Sequence, residues 1–146
     1  MMFSAARIAI TLIMMTSILW GTPGVAKESL ATAELNDATN SLASAPYFSH
    51  GNNGFIGQRN DAQKALEIIS SSPDAIDRLI NIALAAPTTP AGSLYAACGL
   101  QQKHYNSMNI IFPPLFHYTV SVLEGDILRK ESFYDVYTRI STYGCQ

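Results

Sequence analysis

The chain has 146 residues, 48% of them hydrophobic and only 14% charged, with a formal net charge of −2. That length accommodates one domain. Weak, scattered acidity with no basic stripe excludes nucleic acid as an evident partner, and no basic amphipathic helix is present for an anionic membrane surface.

The N-terminus reads as a leader. Arg7 precedes an apolar run from Ile8 to Trp20, and Gly24-Val25-Ala26 follows with small residues. A charged start, a short apolar core and a small-residue exit describe a secretory signal peptide, expected over 1–26. The alternative, a membrane anchor, needs about 20 apolar residues, and this run is shorter. Without the leader, eight basic and eleven acidic side chains remain, about −3. No later apolar run approaches spanning length, so the mature chain is expected to carry no membrane span and to be exported, periplasmic or secreted, from a bacterial cell.

Residues 27–45 are rich in Ala, Ser, Thr and Asn. Leu30, Leu35 and Leu42 suggest at most a frayed helix, and the stretch reads as a flexible N-terminal arm. A single globular domain is expected over 46–146. It opens on a loop, Ser44 to Gly57, in which turn formers alternate with Tyr47, Phe48, Phe55 and Ile56. Asn53-Gly54 is a hairpin signal there. Asn60 then caps a helix whose Ala62, Ala65, Leu66 and Ile69 recur at i, i+3, i+4 and i+7.

Ser72 to Gln102 organises the chain. Ser72-Pro73 is a cap followed by proline at the first helical position. Ile76, Leu79, Ile80 and Ala83 form the predicted stripe, Asp74 and Arg78 an i, i+4 pair, and Pro87 the stop. Thr89-Pro90 repeats the start signal before Ala91, Leu94, Tyr95 and Cys98. The two helices, with the echo of Asp61-Ala62 in Asp74-Ala75, suggest HEAT-like pairs. A kink at Gly99-Leu100 and continuation to Phe112 are expected, with Pro113-Pro114 as terminator.

From Phe116 to Leu123 the period falls to two and aromatic and β-branched residues dominate, predicting a strand. Glu124-Gly125-Asp126 turns it into a short return strand, Ile127 to Lys130. A last helix starts at Ser132, with Asp135 completing a capping box, and carries Phe133, Val136, Tyr137 and Ile140. The fold expected is mainly α: four to five short helices in a compact bundle, a C-terminal β-hairpin and a final helix.

In an exported chain the two cysteines, Cys98 and Cys145, suggest a disulfide, the alternative being a buried Cys98 and a free tail thiol. Chemistry is otherwise sparse. His50, His104 and His117 fall on three different elements, with no zinc spacing and no His-Glu-x-x-His pair. No Gly-x-Ser-x-Gly elbow, phosphate-cradling glycine loop or cofactor motif occurs. Seven tyrosines suit either core or interface, and most fall on core stripes. Tyr47, Phe48 and Phe55 are the candidate interface residues, the alternative being an ordered loop whose aromatics are anchored in the core. The reading is a non-catalytic exported protein that binds another protein, as an inhibitor, immunity protein or envelope or secretion accessory factor. The alternatives are a small hydrolase with a His/carboxylate site and a carrier of a small ligand or lipid.

Overall fold

The structure, a computed structural model, describes residues 24–49 and 59–145. Six helices carry most of these residues: α1 (Gly24–Ala43), α2 (Asp61–Ser70), α3 (Ala75–Leu84), α4 (Pro90–Gln102), α5 (Met108–Ile111) and α6 (Phe133–Tyr143). A small sheet completes the fold, formed by β1 (Phe48–Ser49), β2 (Thr119–Glu124) and β3 (Ile127–Ser132) in the order β1-β2-β3. The protein is mainly α, with the β2–β3 hairpin near the C-terminus and a final helix after it.

Helix α4 is the axis. Thr89 caps it, its hydroxyl accepting the Gly92 N–H at 3.0 Å, and Pro90 fills the first position. Every residue from Ala91 to Leu100 is buried. A helix apolar on all sides requires neighbours on all sides. These are α1, α2, α3, α5, α6, β1 and β2. Small residues allow the approach. A Cβ on Gly92 would lie 2.6 Å from the Leu42 carbonyl oxygen, and one on Gly99 2.6 Å from Leu79 Cδ1. Consecutive helices also pair with each other, α1 with α2 and α3 with α4.

The C-terminal part closes over the other side. Val120 and Val122 face inward from β2, and β1 runs parallel to β2 with Phe48 opposite Val122. Phe133, Val136, Tyr137 and Ile140 bury one face of α6, as their spacing predicts. Phe112 packs against the rings of Tyr137 and Phe133 at 5.2 and 6.5 Å. Cys98 and Cys145 form a disulfide with Cα atoms 5.5 Å apart, which ties the segment after α6 to the C-terminal half of α4.

Several expectations shift. The stretch read as a flexible arm is helix α1, and Ala38, Leu42 and Ala45 are buried in the core. Its packed body therefore begins well before residue 46. Leu35, Ala38 and Leu42 lie on one side of a helix, and tertiary packing stabilises a segment whose own apolar signal is weak. Helix α3 starts at Ala75, with Asp74 rather than Ser72 as cap, and buries Ala75, Leu79, Ile82 and Ala83. Ile76 is left 38% exposed because the buried stripe is rotated by about one residue toward α4. Helix α4 runs through Gly99 to Gln102, and the chain breaks afterwards at His104, whose φ is +54°. Strand β2 starts at Thr119 because Phe116 belongs to the turn after the 3-10 segment Pro113–Leu115. Ser132 makes no side-chain cap bond, since it is still paired with Thr119 in the sheet. Residues 1–23 of the expected leader (1–26), and Asn53-Gly54, lie outside the described residues; Gly24 to Ala26 open α1.

Candidate functional site

The best-defined polar feature inside the protein is the Tyr95 hydroxyl. Helix α4 holds the ring at 1% exposure, 4.9 Å from the ring of Phe48. A buried hydroxyl needs partners, and Tyr95 has them. It accepts the Ser49 N–H at 2.9 Å and an Asn60 amide proton at 2.8 Å, and donates to the Ser49 carbonyl at 3.2 Å. Burial raises the Tyr95 pKa above 10.0, against the opposing hydrogen bonds from Asn60 and Ser49, so the phenol is neutral and able to donate.

Asn60 acts twice. Its Oδ1 accepts the Gln63 N–H at 2.7 Å, while Gln63 Oε1 accepts the Asn60 N–H at 3.0 Å, a complete capping box at the start of α2. Gln63 also donates to the Ser49 carbonyl at 3.3 Å. Residues 49 and 60, which bracket the Gly-rich stretch, are therefore held to one another and to α4. On the α1 side, the Thr89 hydroxyl donates to the Ala45 carbonyl at 2.7 Å, fixing the chain as it leaves α1.

This scaffold places α1 beside α2 and leaves a groove of about 560 Å³ between them. Its walls are Ala33, Glu34, Asp37, Ala38 and Ser41 from α1, and Asp61, Lys64, Ala65 and Ile68 from α2. A second hollow of about 230 Å³ adjoins it, lined by Pro46, Tyr47 and Asn60 among others. The two share Ser41 and Asp61, so they meet. The floor is made of small side chains and the rim is acidic. Lys64 lies 3.3 Å from Asp61. Glu34 and Asp37 are in no ion pair among the described residues. The arrangement leaves Glu34 and Asp37 beside an open, partly apolar groove.

The candidate residues separate. Tyr47 is half-buried and lines the second hollow. Phe48 is 4% exposed and belongs to the core. It is buried because β1 pairs with β2 and carries its ring under Tyr95. Phe55 and His50 lie outside the described residues. His104 and His117 are exposed and line neither hollow. Among the described residues, no group of three or more His, Cys, Asp or Glu is placed to hold a metal ion. No described helix is long and apolar enough to cross a membrane.

Tyrosine placement corrects one expectation. Tyr95 and Tyr137 are buried, but Tyr118, Tyr134 and Tyr143 are 45%, 50% and 76% exposed. The residues missed altogether are Glu34 and Asp37. Their i, i+3 spacing, next to Ala38 and Ser41, was the available signal. Comparison of the chain with protein-family models, curated proteins and solved structures finds no match.

Proposed function

We propose that this is an exported, non-catalytic protein that acts by binding another protein, with the α1–α2 groove and the adjoining Tyr47 hollow as the docking place. The observation that carries this reading is the groove itself: it is open at the surface, floored by Ala38 and Ala65 and rimmed by carboxylates. Rigid elements flanking a shaped, partly apolar surface suit recognition. Export is supported by the charged, apolar and small-residue order of the leader and by the Cys98–Cys145 pair, because disulfides persist in oxidising compartments.

The test is a tagged pull-down from the exported fraction with mild cross-linking. The expected result is a stoichiometric protein partner. A preparation that yields no protein partner and carries a bound small molecule in native mass spectrometry overturns the reading in favour of a carrier.

A further inference from the structure

We infer that the α1–α2 groove takes a cationic amphipathic helix, presented by the partner protein. This rests on the docking role proposed above and names the chemistry that the groove selects.

Glu34 and Asp37 stand three residues apart on α1, where like charges are neighbours and repel by a few tenths of a kcal/mol. No described cation pairs with either, and Lys64, the groove's own cation, is 3.3 Å from Asp61. Lys or Arg side chains arriving from a partner turn that repulsion into attraction.

Both walls are helices, whose amides and carbonyls bond within the helix, so the groove offers no sheet edge to an extended peptide. A segment entering a partly apolar groove must then satisfy its own backbone, and a helix does so. The dimensions agree. The α1 wall spans Ala33 to Ser41 and the α2 wall Asp61 to Ile68, about 12 and 10 Å at the helical rise, or about two turns of a docked helix. The floor at Ala38 and Ala65 admits close approach, and Ile68, 36% exposed, offers an apolar contact at one end.

The test uses two fluorescent model peptides of about 14 residues, near the length at which isolated helices become populated. Both carry Leu on one face, and the flanks are Lys in one and Glu in the other. Binding to the full, disulfide-intact chain is read by anisotropy at ~50 and ~300 mM salt, spanning a roughly twofold change in screening length. The Lys peptide is expected to bind at least about tenfold tighter than the Glu peptide, and more weakly at high salt. The double variant E34K/D37K is expected to lose about tenfold for the Lys peptide. The variant D126K/D135K changes net charge equally at exposed sites outside the groove, and is expected to stay within about twofold. Equal affinity for both peptides, or equal weakening by both double variants, overturns the inference. If a stoichiometric partner is nevertheless recovered in the pull-down, the docking role stands and only its charge chemistry falls.

Discussion

Replacing Tyr95 by Phe removes one oxygen and leaves the packing in place. The ring is 1% exposed and stays against Phe48, so no cavity opens. What is lost is the acceptor of the Ser49 N–H at 2.9 Å, the acceptor of Asn60 Nδ2 at 2.8 Å, and the donor to the Ser49 carbonyl at 3.2 Å. The effects are unequal. Ser49 is 0% exposed, so depriving its N–H of this acceptor costs about 1–3 kcal/mol. Asn60 is half-buried and its amide can turn to water, while the Ser49 carbonyl keeps Gln63. The sum is about 2 kcal/mol, or a fall in Tm of about 6–10 °C for a chain of this size. Urea and thermal unfolding read the stability, and amide exchange at Ser49 reads the local effect. Burial also holds the Tyr95 pKa above 10.0, so the unfolded chain releases this proton first. Its contribution is complete below pH 10 and disappears as pH rises through the folded pKa, a slope that Tyr95→Phe should lack. A loss under about 0.5 kcal/mol with unchanged exchange at Ser49 would refute the reasoning.

Cys145→Ser should lower stability by about 2–4 kcal/mol, the upper figure following from a disulfide separation of 47 residues, and unfolding with and without reductant should give the same difference. Gly92→Ala should cost more than Gly99→Ala, within about 1–3 kcal/mol, because its Cβ meets backbone carbonyls of α1 whereas that of Gly99 meets leucine side-chain tips that can rotate; paired thermal melts decide it. The hydrogen bond from Arg78, then that from Ser72, holds the Asp74 pKa below 3.8, so this carboxylate's contribution is present above pH 3.8 and lost as pH falls through the folded value. The stability difference between the native chain and Asp74→Asn should therefore shrink in acid, as followed by denaturation across that range.

Where a local signal and a packing need coincide, the sequence is readable. Asn60, Gln63 and the Ala62, Ala65, Leu66, Ile69 stripe announce α2, and Thr89-Pro90 announces α4, because caps and periodicity act within a few residues. Elements stabilised mainly by distant partners are harder to see. Helix α1 has few large apolar residues, and it is Ala38 and Leu42 meeting the rest of the core that give it a buried side. Strand β1 is two residues long, too short for any alternation to register, and its partner β2 is some seventy residues away. That pairing is why Phe48 reads from sequence as a loop aromatic and is core in the structure. The groove shares this origin. Glu34 and Asp37 come to line it only because α1 lies beside α2, and neither helix forms the groove alone. The disulfide was legible because two cysteines leave a single intramolecular pairing.

The α1–α2 groove is the proposed place where this protein meets its partner. The most direct measurement places a photo-cross-linking residue at Ser41, where the two hollows meet, and in a second variant at Ile127 on the hairpin, which lines neither. Both are irradiated in the exported fraction and read by mass. The account predicts one adduct of defined mass from position 41, absent from position 127 and lost when E34K/D37K is added. No adduct at position 41, or the same adducts from both positions, would contradict it.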